Sequence, residues 1–135
     1  MSSSLQTTTA PKPGHVYVAR YDFVSFIPET QSRVDVWGNA RHIILPARYT
    51  TCQKGDLVMY LGHVYESEVI PESSLNAEHL CLKFFLVKKS EIHYMRTTVR
   101  LLGEHGSNAL KRAHHQFSLS FYTLEQYQKS KKPLQ

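Results

Sequence analysis

The sequence predicts a mainly β fold: a single-domain β-sandwich or partly open barrel of about seven strands with one or two short helices. Three observations carry that expectation. Several stretches alternate apolar and polar residues with the period of an extended chain. Turn signals such as "PKPG", Gly38-Asn39 and Pro46 punctuate those stretches. At 135 residues the chain supplies one core and has no room for two.

The elements follow in order. Residues 1–13, rich in Ser, Thr and Pro, read as a disordered N-terminal arm. The β-rich domain spans 14–124 and opens on "HVYVARYDFV", one strand with apolar or aromatic groups on both faces. "RVDVW" and "RHIIL" form a hairpin of two short strands turning at Gly38-Asn39, with Pro46 ending the second. "DLVMYLGHVY" is a further strand, with Glu66 and Glu68 solvent-facing at its end. "PESSLNAEH" suits one helical turn with Pro71 at its first position.

"LCLKFFLV" then places Leu80, Leu82, Phe84 and Leu86 on one face. "EIHYMRTTVR" sets Ile92, Tyr94, Arg96, Thr98 and Arg100 against His93, Met95, Thr97 and Val99. Its first face is a basic stripe holding an aromatic, a stacking platform for single-stranded nucleic acid or an ordinary mixed strand face. A short helix over 106–113, with Ser107 as N-cap, precedes a strand in which His115, Phe117, Leu119, Phe121 and Thr123 share a face. On that reading His114 and His115 point apart, and His115 shares the face of Phe117. Residues 125–135 are a basic, mobile C-terminal tail.

Charge is unevenly placed. Residues 1–87 hold seven Lys/Arg against eight Asp/Glu, and residues 88–135 hold nine against three. The basic set is Lys88, Lys89, Arg96, Arg100, Lys111, Arg112, Lys129, Lys131 and Lys132. Such asymmetry points to a polyanionic partner, RNA or an anionic membrane surface; the plainer alternative is a solvated face with a soluble tail.

Chemistry is less visible. The eight histidines show no HxH or HExxH spacing, and the two cysteines no Cys-x-x-Cys, so no metal site is expected. There is no Gly-x-Ser-x-Gly elbow and no phosphate-cradling glycine loop, so no catalytic residue is assigned. An enzyme would need histidines and carboxylates converging in a cleft. Cys81 reads as a small buried hydrophobe, and the two cysteines as reduced thiols. The sequence shows no signal-peptide pattern, no glycosylation sequon and no apolar run long enough to span a bilayer.

Pro13-Gly14, Asp22-Phe23-Val24, Leu45-Pro46 and Val99-Arg100-Leu101 together resemble the small matrix proteins of bornaviruses and relatives such as nyamiviruses. So does the close, Ser107-x-Ala109-Leu110 leading into Phe117 and Phe121-Tyr122-x-Leu124. The resemblance implies a domain similar to the N-terminal domain of filovirus matrix proteins. It implies no enzymatic activity and no cofactor. It also implies a homo-oligomer, often a tetramer, that coats the inner face of the viral envelope through basic surfaces and binds RNA or ribonucleoprotein. Host cytoplasm or nucleus and the inner membrane surface are the expected locations. No Pro-Pro-x-Tyr or Pro-Thr/Ser-Ala-Pro motif accompanies it. Trp37 reads either as a cap on the core at a sheet edge or as a ring at an oligomer or lipid interface, with the core or an oligomer contact preferred. Phe85 is the other expected oligomer contact. The alternative is a small viral RNA-binding regulator with no membrane role.

Overall fold

A computed structural model describes residues 10–71, 79–100 and 106–131. The chain is a mainly β domain: seven antiparallel strands with short helices, the sheet not closed into a barrel. The strands are β1 (Val16–Ala19), β2 (Phe23–Val34), β3 (Ala40–Cys52), β4 (Leu57–Tyr65), β5 (His79–Leu86), β6 (Glu91–Arg100) and β7 (Phe121–Thr123). The helices are α1 (Glu66–Val69), α2 (Gly106–Ser120) and α3 (Leu124–Lys131), with a 3₁₀ turn at Val87–Lys89. Strand order across the sheet is β3-β2-β6-β5-β4-β1-β7.

The expected alternation of β5 and β6 governs the core. Leu80, Leu82, Phe84 and Leu86 are buried, as are His93, Thr97 and Val99, while Ile92, Arg96, Thr98 and Arg100 face out. The main core joins Tyr17, Tyr60, Leu82, Phe84 and Leu86 to Phe117 and Phe121. The sheet curls enough that Phe23 of β2 meets Phe121 of β7, ring centroids 5.5 Å apart.

Five expectations change. "HVYVARYDFV" is not one strand: the chain breaks at Arg20–Asp22 because its halves serve different neighbours. Ala19 exchanges backbone hydrogen bonds with Gly55 and Asp56, the Arg20 N–H donates to the Ser120 carbonyl, and Asp22 accepts the Lys54 N–H. The hairpin is longer than foreseen. Pro46 lies inside β3 opposite Pro28, where an outermost strand tolerates a missing N–H. Val36 and Trp37 leave the strand for the turn, in which the Gly38 N–H donates to the Asp35 carbonyl and Gly38 takes φ +83°.

The strand expected from His115 is mostly helix. Ala109, Ala113, Phe117 and Phe121 recur every four residues and are all buried, whereas Leu119, required inside by the extended reading, is 54% exposed. Only Phe121–Thr123 is extended, paired with β1. The tail is ordered through Lys131 as α3, which packs on β1 and β7. Likewise the end of the expected arm is docked: Pro11 is buried and the Lys12 N–H donates to the Tyr17 hydroxyl at 3.0 Å. The helical turn expected after Pro71 lies outside the described residues.

At Phe26 the hairpin parts from the sheet. β2 has one ladder pair with β6, Phe26↔Tyr94, and there the β2–β3 register shifts, so that Arg48 and Tyr49 together oppose Phe26. Arg48 takes φ +45°, uncommon for a residue with a side chain. Its guanidinium bridges Glu29 at 3.5 Å and Glu91 at 3.2 Å. Such a bulge bends a strand. Beyond it β2 is exposed from Glu29 to Val34, over about 20 Å, while β3 stays half-buried from Ile43 to Ala47, with Ile44 packed against Phe26, Val69 and Ile70.

Candidate anion-binding surface

The basic residues singled out in the sequence do not form one surface. Lys88 and Lys89 sit on the 3₁₀ turn before β6, and Arg100 at its far end. Ten extended residues separate those ends by about 30 Å. Lys111 and Arg112 stand on α2 near Arg100, and Lys129 and Lys131 on α3. Lys132 lies outside the described residues.

Several of these cations already have internal duties. Lys88 Nζ is 2.7 Å from Asp56 Oδ2. Burial works to raise the Asp56 carboxyl, but the Lys88 ammonium and the Gln53 N–H outweigh it and hold it below its ordinary value. Arg96 Nη2 pairs with Glu66 Oε2. Glu66, expected in solvent, is 2% exposed and also accepts the His79 backbone N–H at 3.3 Å. A buried carboxylate needs a compensating charge, and Arg96 supplies it. Glu68 is exposed as expected. Lys131 Nζ lies 4.9 Å from the centroid of the Tyr127 ring.

Arg100, Lys111 and Arg112 are the coherent group. Arg112 Nη2 donates to the Arg100 carbonyl at 3.2 Å, drawing the helix onto the end of β6. Gln116 Nε2 donates to Thr98 Oγ1 one turn further along. Between them Thr98, Val99, Lys111, Arg112, His115 and Gln116 line a shallow groove of about 430 Å³. Among the described residues no carboxylate lies within 4.0 Å of Lys89, Arg100, Lys111 or Lys129. Tyr94 is not a free stacking platform. It is half-buried, its ring stacked on Phe26 at 6.1 Å and 28°.

Trp37 and Phe85 occupy different surfaces. Trp37 is 82% exposed at the hairpin tip. Phe85 belongs to a register row, Val16–Met59–Phe85–Ile92, that crosses four strands on the face opposite Phe84. Val16, Met59 and Phe85 are half-buried and Ile92 is 43% exposed, so the row is an open apolar strip.

Sequence reasoning missed a polar chain in the core. Ser25 Oγ is 2.8 Å from His93 Nδ1, and His93 Nε2 is 3.2 Å from Glu91 Oε1. A neutral ring protonated on Nε2 satisfies both neighbours, accepting from Ser25 and donating to Glu91. The His93 hydrogen bond, with Arg48 beyond it, holds the Glu91 carboxyl below its usual range. Ser25 and His93 are fully buried, so this serine–histidine–carboxylate order has no approach for a substrate in this packing. Only the three-dimensional pairing of β2 with β6 brings Ser25 to His93, 68 positions away in sequence.

The histidine pair is also rearranged. His114 is half-buried with its ring centroid 5.5 Å from that of His63, whose Nδ1 meets the Tyr60 hydroxyl at 2.8 Å. His115 is exposed. Among the described residues no three His, Cys, Asp or Glu side chains converge as a metal site. Burial, with Asp56 adding to it, pushes the Cys52 thiol up to about 12 and keeps it protonated. Cys81 is fully buried, as its apolar setting implies. No helix among the described residues is long and apolar enough to cross a membrane. The chain matches no protein-family model, no curated protein and no solved structure.

Proposed function

We propose that this protein is a non-enzymatic matrix protein of a negative-strand RNA virus, which self-assembles and bridges an anionic membrane and RNA or ribonucleoprotein. The carrying observation is the separation, among the described residues, of Lys89 from Arg100 and Lys111, none of which has a carboxylate within 4.0 Å. Lys89 stands at one end of β6, and Arg100 and Lys111, joined by Arg112, stand at the other. A bridging protein needs anion-holding groups that face apart, and a single basic patch would serve a one-ligand regulator better. Each such cation near an anionic leaflet contributes about 1 kcal/mol, so few suffice once several subunits act together.

The open strip Val16–Met59–Phe85–Ile92 supports self-assembly, because an apolar row across four strands is stabilised by cover. A tetramer, a domain similar to the filovirus matrix N-terminal domain, and a place under the viral envelope come from the family resemblance alone. Sedimentation of the full chain, with and without phosphatidylserine-containing vesicles and with single-stranded RNA, tests the reading. The expected result is a defined oligomer that binds both. In it, Lys111→Glu/Arg112→Glu and Lys89→Glu weaken different ligands. A monomer that binds RNA and ignores vesicles would instead identify an RNA-binding regulator.

A further inference from the structure

The β2–β3 arm is built to present its tip. Asp35 closes the turn twice over: its Oδ1 accepts the Trp37 N–H at 2.9 Å and the Asn39 N–H at 2.8 Å. Its carbonyl accepts the Gly38 N–H at 3.0 Å, and its own N–H donates to the Asn39 carbonyl at 2.9 Å. That fixed loop leaves Val36 88% and Trp37 82% exposed, with Val34 69% exposed just behind. A turn needs none of these apolar groups, since its hydrogen bonds come from Asp35, Gly38 and Asn39.

One register step back, Arg33 and Arg41 are direct cross-strand partners, followed by Ser32 with His42. Like charges placed opposite each other destabilise a ribbon. Among the described residues neither arginine has a carboxylate within 4.0 Å, and the side chain of Asp35 is engaged by the turn. The pair is exposed to solvent and open to an anion. Along the arm the order is apolar tip, then cations, with Trp37 leading the arginines by about 7–10 Å. That spacing matches the depth, about 5–10 Å, to which interfacial apolar faces are buried in the headgroup–acyl boundary. Tryptophan favours that boundary because its ring is apolar and its N–H is not.

We propose that the tip of the β2–β3 arm inserts into the interfacial layer of an anionic bilayer, Val36 and Trp37 among the upper acyl carbons and Arg33 and Arg41 on the phosphates. The stratified order favours a bilayer over a second copy of the chain, whose own arm would offer two further arginines to the first pair. The inference rests on the membrane half of the proposed function, and its surface is distinct from the Lys111–Arg112 groove, so it stands or falls separately from RNA binding.

Trp37 is the chain's single tryptophan, which makes its fluorescence a direct report on the tip. With phosphatidylcholine–phosphatidylserine vesicles the full-length protein's emission should shift to shorter wavelength, become quenched by acyl-brominated lipid, and lose access to aqueous iodide. Arg33→Glu/Arg41→Glu should abolish the shift, and Lys111→Glu/Arg112→Glu should retain it. Trp37→Ala should reduce vesicle co-sedimentation with its circular dichroism unchanged. Two results overturn the proposal. In one, Trp37 stays open to iodide in the presence of vesicles. In the other, its emission shifts without lipid as protein concentration rises, which would place the tip against a second copy.

Discussion

The two long hairpins of this molecule, β5–β6 and β2–β3, have the same antiparallel pairing and opposite fates. β5 is flanked on both sides by β4 and β6, and its Leu82, Phe84 and Leu86 are fully buried. Beyond Phe26, β2 pairs only with β3 and is exposed from Glu29 to Val34. Ile44 of β3 still packs against Phe26, Val69 and Ile70, and in this stretch only the outer pairs, Ser32–His42 to Val34–Ala40, are exposed on both strands. An isolated two-stranded ribbon is marginal in water. It persists here through the Asp35 turn and the Arg48 bulge, each held by specific polar contacts. Stability is thus concentrated in the sheet under α2, while the arm is free to carry residues that a core would reject.

Truncation should expose that division most strongly. Phe84→Ala, at 0% exposure, is expected to cost about 3–5 kcal/mol in denaturant unfolding. A cost below about 1 kcal/mol would mean that the sheet core is not where the stability resides.

Acid separates the regions next. Burial, with His114 adding to it, lowers His63 to about 4. Its folded value lies below its ordinary 6.5, so between the two the unfolded chain binds the extra proton. Stability is therefore intact above that window and is lost as pH falls through it, by up to about 3 kcal/mol. Denaturant midpoints measured across pH 4 to 7 should show this slope, and His63→Gln should flatten it. Burial lowers His114 as well. The loss belongs to the packing of α2 on β4 and should leave the Asp35 turn unaffected.

The histidine neighbours give a finer contrast. His114→Ala removes a half-buried ring beside His63 and should cost about 1 kcal/mol, while His115→Ala, on the exposed side, should stay within about 0.5 kcal/mol. An extended chain predicts the reverse order, so equilibrium unfolding of the two variants distinguishes helix from strand at this point. The smallest stability effect is expected at the arm. Trp37→Ala should shift unfolding by less than about 0.5 kcal/mol. A larger loss would show that the tip is packed, against this chain or another.

These contrasts mark how far the sequence reaches. The alternation of β5 and β6, the existence of β4 and the turn at Gly38-Asn39 were legible because they depend on residues a few positions apart. The charge asymmetry of the last third was legible for the simpler reason that it is a count. The stretch from Ala113 to Phe121 was ambiguous, since Phe117 and Phe121 satisfy a period of two and a spacing of four alike. It is helical because Ala109 and Ala113 meet Leu80 and Val99, and Phe117 meets the rings of Tyr17 and Tyr60. Nothing local marks Glu66 as buried or Arg96 as its counter-charge, since that pair forms only when α1 folds over β6. Likewise Lys111 and Arg112 join Arg100 at one end of β6 only because α2 packs there. Periodicity is a property of neighbours along the chain, whereas the environment of a charge is set by whatever the fold brings across from it.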